Sequence, residues 1–286
     1  MMRGRYLSKR RLEELDGSIL SERDKAILRS LLNLRYLLTS QVRRLHFAES
    51  ATPAAGLRAT NRTMSKLQGY GIITSLERRI GGVRAGSNSY VWTLTESGAN
   101  MLHLNDESYT QRKRVYEASL YFVRHTLEVA EVYIQLTEVC KRNQLGITKT
   151  ELEPSCWRGH TGVDGKPATL KPDMFAVIDS GKYEDSFFIE VDLATESPVV
   201  VLDKCKRYAF YCKTGIEQKQ YGVFPLVVWL VYNANRKAKL QQYITECREI
   251  PEASKGIFIV IMPDEFEALI RHGVSALVKE EGDKCA

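Results

Sequence analysis

Apolar and polar residues follow a helical period through the first half of this chain and a strand-like pattern through much of the second. Between 26 and 38, Ile27, Leu28, Leu31, Leu32 and Leu34 keep the three- and four-residue spacing of one helix face. Ser21, ahead of Glu22, Arg23 and Asp24, supplies an N-cap with acidic residues in the first turn. Thr39 caps a second, short helix through Gln41, Val42 and Leu45. After a loop with Pro53 and Gly56, the residues Leu57, Thr60, Met64 and Leu67 form the buried stripe of a third helix over 57–70. Gly69 and Gly71 end it, and 72–76 reads as a strand. A turn rich in glycine (Gly81, Gly82, Gly86) leads to a returning strand over 90–94, and Thr95 opens a helix to Leu104. Helical spacing resumes over 115–142. Strand-like runs follow at 145–152, 171–178 and 186–192, then a helix over 199–213, a buried strand over 224–232 and a helix over 236–247. A strand over 257–262 and a helix over 264–278 complete the order αβββαβαβα, which predicts a mixed sheet flanked by helices.

Charge adds a partner to this outline. The formal net charge is +6, but residues 1–115 hold 20 Lys and Arg against 10 Asp and Glu, while 116–286 hold 21 against 25. The positive excess lies entirely in the first part, which points to a polyanion there, nucleic acid before others. On the 57–70 helix, Arg58, Arg62 and Lys66 recur every four residues away from the apolar stripe, with Asn61 and Ser65 beside them. Cationic and amide side chains on an exposed helix face are what phosphates and base edges in the major groove require. Arg78, Arg79 and Arg84 flank the glycine-rich turn, within reach of backbone phosphate or the minor groove. Three helices, a hairpin with a basic tip and a further helix is the winged helix-turn-helix order. The predicted partner is double-stranded DNA. A solvated basic face and a winged helix used for protein contacts are the competing readings.

Other classes recede. The six cysteines (Cys140, Cys156, Cys205, Cys212, Cys247, Cys285) form no CxxC pair or zinc-type spacing and read as reduced thiols of a cytoplasmic protein. Residues 1–20 read as a basic flexible arm, with no apolar segment of a signal peptide behind it. The longest apolar run, 224–232, falls well short of the roughly 20 residues that span a bilayer, so no membrane role is expected. There is no GxxxxGK[ST] loop, and the five histidines are scattered rather than gathered as a relaxase metal triad. Trp157, Arg158 and His160 precede or enter a glycine-containing loop that reads as a DNA contact or as an ordinary exposed loop.

Candidate chemistry sits in the second half. Asp173 follows Pro172 at the start of one strand, and Glu190 and Asp192 end the next, on one face by their i, i+2 spacing. If these strands are antiparallel neighbours, the carboxylates converge and suit Mg²⁺ (or Mn²⁺), which takes oxygen ligands and polarises a phosphodiester or activates water. Solvated strand-end acids are the alternative.

Pro172-Asp173 followed by Glu190-Val191-Asp192 resembles the PD-(D/E)xK nuclease signature, and the element order resembles the αβββαβ core of that fold. The resemblance implies metal binding by Asp173 and Glu190 and a catalytic lysine two residues after the glutamate. Position 192 is Asp instead, so Lys204 or Lys206 would have to replace that lysine, and Glu128 or Glu131 would supply a helix carboxylate. Taken with the 62–73 helix and turn, Leu170-Lys171-Pro172-Asp173 and Phe187-Phe188-Ile189-Glu190-Val191-Asp192, the chain is similar to the replication-relaxation family of plasmid and mobile-element proteins. The fold class is then α+β or α/β: a basic arm over 1–20, a winged helix-turn-helix over 21–110, and a mixed-sheet, restriction-endonuclease-like αβββαβ domain over 111–286. The implied role is DNA binding in plasmid replication or relaxation, or its control, with a nuclease-like domain lacking activity. The alternatives are a Mg²⁺-dependent nickase using Asp173, Glu190 and Asp192, with Lys204, and a winged-helix transcriptional regulator. The 115–142 helix offers a homodimer interface.

Overall fold

The computed structural model describes residues 7–76, 80–81, 88–104 and 118–277. The chain divides into two compact units, Met1–Ile134 and Gln135–Ala286.

The first unit starts with α1 (Lys9–Glu14) and a single π-helical turn, Leu15–Ile19. Residues 9–19 are thus helical where a flexible arm is expected, because Leu12 and Leu15 are buried and hold the segment down. Helix α2 (Glu22–Leu34) is capped by Ser21, whose hydroxyl accepts from the Asp24 N–H while Asp24 accepts from the Ser21 N–H, a reciprocal capping box. It stops four residues earlier than the apolar spacing suggests, since Arg35 adopts φ 63° and turns the chain. Strand β1 (Leu37–Leu38) and α3 (Thr39–His46) follow, with Gln41 Oε1 accepting the Leu38 N–H at 3.0 Å.

Helix α4 runs Pro53–Gly69, with Thr52 accepting from the Ala55 N–H and Pro53 in the first turn, where a missing N–H costs nothing. Its buried stripe is Gly56, Thr60, Met64 and Leu67. Leu57, expected in that stripe, is 45% exposed. The next elements are β2 (Ile73–Ser75), a two-residue pair β3 (Ile80–Gly81) and β4 (Asn88–Ser89), β5 (Val91–Leu94) and α5 (Glu96–Leu102). Strands β1, β5 and β2 form a three-stranded antiparallel sheet in that order. The start of α6 (Leu120–Asn143) closes this unit: Val123 and Leu127 pack with Tyr36 and Val91, and Gln41 Nε2 donates to the Leu127 carbonyl at 3.0 Å.

The second unit is built on a five-stranded mixed sheet in the order β12-β11-β10-β9-β6. In chain order its elements are β6 (Gly146–Leu152), the hairpin β7 (Arg158–Thr161) and β8 (Pro167–Leu170), β9 (Met174–Asp179), β10 (Glu184–Asp192), α7 (Pro198–Lys213), α8 (Ile216–Tyr221), β11 (Leu226–Val231), α9 (Ala234–Glu246), α10 (Glu252–Lys255), β12 (Phe258–Ile261) and α11 (Phe266–His272). Strand β9 pairs antiparallel with both β6 and β10, whereas β10, β11 and β12 are parallel. Strand β10 is buried almost throughout, as its unbroken run Phe187-Phe188-Ile189 requires for a strand covered on both faces. Phe175, Phe188, Val201, Tyr208 and Trp229 lie in the core on the face that α7 covers.

The expected mixed sheet is therefore present, with one addition. The β7–β8 hairpin forms a separate two-stranded ribbon where the sequence reads as loop. Among the described residues, no helix is long and apolar enough to cross a membrane, and the described cysteines are free thiols.

Candidate functional site

The β9–β10 hairpin sets the geometry of the carboxylates. Ile189 pairs with Met174, so the residues one step beyond, Glu190 and Asp173, stand opposite each other across the two strands. Asp173 is buried, and its Oδ2 accepts the Val191 N–H at 2.8 Å, which fixes the turn leading into β9. Glu190 is 1% exposed. Its two oxygens meet one face of α7: Tyr208 Oη donates to Oε1 and Lys204 Nζ to Oε2, each at 2.5 Å. Lys204 and Tyr208 are four residues apart, one helical turn, and so reach the same carboxylate.

Burial pushes the Glu190 carboxyl up to about 8; Lys204 opposes this, and the nearby charge of Asp173 adds to it. Burial would lower Lys204, but the charges of Glu190, Asp173 and Glu196 outweigh it and drive the ammonium upward. The contact the two share is a lysine ammonium against a carboxylate, the state in which the charges cancel. Burial and the Glu190 charge also push the Tyr208 phenol well above its ordinary range, keeping it a neutral donor.

Asp192 has a different set of partners. Its Oδ1 accepts the Ala194 N–H at 2.8 Å, and its Oδ2 accepts from Arg236 Nε at 2.6 Å. Arg236 also donates to the Glu196 carbonyl at 2.9 Å. The expected convergence of three carboxylates is not realised: among the described residues, no three His, Cys, Asp or Glu side chains could share a metal ion. Asp173 and Glu190 remain as a pair of opposed carboxylates. Their chemistry suits a hard divalent cation such as Mg²⁺ or Mn²⁺, and a second positive charge beside Glu190 would offset the burial that raises its carboxyl.

Of the two candidate lysines, Lys204 lies in this cluster. Lys206 pairs instead with Glu249. Glu131 is held by Arg44 and Gln41 within the first unit. Tyr208, on the buried side of α7, also bonds Glu190. Arg236 carries no motif. Its sequence signal is a cation in the first turn of α9, where the helix dipole disfavours positive charge and an acidic partner is needed.

In the first unit, Arg58, Asn61, Arg62 and Ser65 all lie on the exposed face of α4. Lys66 is exposed as well, but its ammonium is paired. Its Nζ lies 2.6 Å from the buried Asp24 Oδ2 and ties α4 to α2. Burial alone would raise the Asp24 carboxyl, but the bonds from Lys66 and Ser21 hold it below its ordinary value. Arg78, Arg79 and Arg84 lie outside the described residues.

The family model described as replication-relaxation matches residues 28–227. No curated protein matches the chain. Among solved structures, restriction endonuclease FokI bound to DNA is similar at 12% identity and a TM-score of 0.25. That match covers 91% of this chain and 48% of the FokI chain, so the chain spans about half of its length. A likeness at this TM-score carries no weight for fold or function.

Proposed function

The chain belongs to the replication-relaxation family, and we propose that it is a DNA-binding protein acting in the replication or relaxation of a plasmid or mobile element. In this reading the first unit is a winged helix-turn-helix that holds double-stranded DNA through α4. The observation that carries it is the outer face of α4: Arg58, Asn61, Arg62 and Ser65 are exposed together, and neither arginine has an ion-pair partner among the described residues. A helix that leaves cations unpaired beside amide and hydroxyl donors suits phosphate and base-edge contacts. Fluorescence anisotropy with duplex DNA from the parent replicon tests it. The wild type should bind with an affinity that falls steeply with salt, and Arg58→Glu with Arg62→Glu should abolish binding. Equal binding by the wild type and this variant would refute the reading.

The second unit, on the same proposal, is a nuclease-like PD-(D/E)xK fold whose polar cluster serves structure. One observation favours an active nickase as a second reading. Lys204 supplies from α7 the ammonium that position 192 lacks, within 2.5 Å of Glu190. Asp173 and Glu190 would hold Mg²⁺ or Mn²⁺, which supplies Lewis-acid polarisation of a phosphodiester. Lys204 would neutralise charge developing on the phosphate. Supercoiled plasmid incubated with either metal tests the nickase: nicking lost in Asp173→Ala and Glu190→Ala establishes the enzyme, and intact plasmid refutes it.

A further inference from the structure

The turn that delivers Asp173 is tied to an exposed tryptophan. Trp157 is 37% exposed, yet both of its neighbours are held, Cys156 in the core and half-buried Arg158 by two carboxylates. Cys156 is fully buried, and its Sγ donates to the Pro172 carbonyl at 3.0 Å, beside Asp173. Arg158 donates through Nε to Glu217 at 2.9 Å and through a terminal nitrogen to Glu151 at 2.8 Å, and its guanidinium lies 4.6 Å from the Phe175 ring centroid. The indole itself is held, with Nε1 donating to Glu153 at 3.4 Å and Lys171 Nζ 4.4 Å from the ring centroid. Lys171 is exposed and has no carboxylate partner among the described residues. A large aromatic ring left more than a third exposed, with an ammonium that has no carboxylate partner over one face, gives up burial that it would gain inside. The same arrangement meets the two needs of a nucleotide strand, a flat surface for a base and a positive charge for a phosphate.

We propose that Trp157 and Lys171 form a docking point for single-stranded DNA on the second unit, at the turn leading to Asp173. The Lys171 ammonium, which lies over the ring, swings to meet a phosphate, and the indole face it leaves stacks with a base. An unpaired strand is specified because a duplex keeps its base faces stacked and out of reach of an indole. The inference uses the second unit alone. It stands whether or not α4 holds duplex DNA and whether or not the Asp173–Glu190 pair cuts.

The tryptophans make the test direct. Trp92 and Trp229 are 5% and 2% exposed, so Trp157 is the fluorophore that solvent and ligand reach. The full-length chain carrying Arg58→Glu and Arg62→Glu, which silences α4, is titrated with oligothymidylate of about ten nucleotides. Saturable quenching that weakens with salt is expected. Trp157→Phe should abolish the quenching. Trp157→Ala should lower affinity about five- to a hundredfold by anisotropy of a labelled oligonucleotide. Lys171→Gln should weaken binding and flatten its salt dependence by about one phosphate contact. Quenching that persists in Trp157→Phe, or affinity unchanged in both Trp157→Ala and Lys171→Gln, overturns the proposal. So does the absence of any binding to the parent chain. Because α4 is already reversed in every arm, a failure of duplex recognition leaves these outcomes unaffected.

Discussion

Arg236 Nε lies 2.6 Å from Asp192 Oδ2, and both side chains are largely buried, at 12% and 2% exposure. The residue that departs from the nuclease signature is thus one half of an ion pair between the end of β10 and the first turn of α9. Removing one partner of such a pair leaves an uncompensated buried charge. Arg236→Met should therefore destabilise the second unit by about 3–5 kcal/mol. The double variant Asp192→Asn with Arg236→Met should recover most of that loss. Urea denaturation of the four members of this cycle measures the coupling, and strictly additive losses would show that the pair contributes nothing.

Lys66 shares the four-residue spacing of Arg58 and Arg62 but should behave differently from them. Its ammonium compensates the buried Asp24 carboxylate at 2.6 Å. Lys66→Ala should lower the melting temperature of the first unit, at a cost of about 1–3 kcal/mol for the stranded Asp24. Arg62→Ala should leave melting unchanged. Calorimetry of the two variants decides the matter, and a lower melting temperature in Arg62→Ala but not in Lys66→Ala would contradict the assignment.

These pairs also mark where sequence reasoning succeeds and where it stops. Local period is legible: the capping box at Ser21, the apolar spacing of α2 and the buried run of β10 all follow from residues within one or two turns of each other. The antiparallel placing of Asp173 against Glu190 follows from two strands joined by a short turn. Partners distant in sequence leave no local trace. Nothing near Lys66 distinguishes it from Arg62, because Asp24 is 42 residues away. Arg236 is 44 residues from Asp192. The β7–β8 hairpin is hidden for another reason: Gly159, Gly162, Gly165 and Pro167 interrupt the alternation that signals a strand. Leu57 shows the limit of phase. A helix beginning at Pro53 rotates Gly56 inward and Leu57 out.

Gly98 on α5 supplies a prediction that depends on space alone. A Cβ built there would lie 2.0 Å from the Ile72 carbonyl oxygen, which also accepts the Thr95 N–H at 3.1 Å. Gly98→Ala must push α5 away from the end of α4 and β2. Despite the better helix propensity of alanine, it should destabilise the first unit by about 1–3 kcal/mol. Thermal unfolding of Gly98→Ala beside Gly17→Ala, where nothing lies within 4 Å, checks this. Equal stability of both variants would show that α5 is free to shift.

His46 makes the first unit sensitive to mild acid. Its ring lies 3.0 Å from Ser30 Oγ, and burial together with the positive charge of Arg23 pushes its pKa down to about 4 from an ordinary 6.5. The folded state therefore binds fewer protons than the unfolded chain between these values. The sign follows: the contribution is complete above about pH 6.5 and is lost as pH falls towards 4. Allowing for partial exposure, the loss is about 1–2 kcal/mol. Amide hydrogen exchange in α2 and α3, followed from pH 7 to below pH 5 after correction for intrinsic rates, should report progressive loosening. In His46→Gln, which cannot take up the proton, the same profile should be flatter across that window. A parallel pH profile in both proteins would place the acid sensitivity at another group.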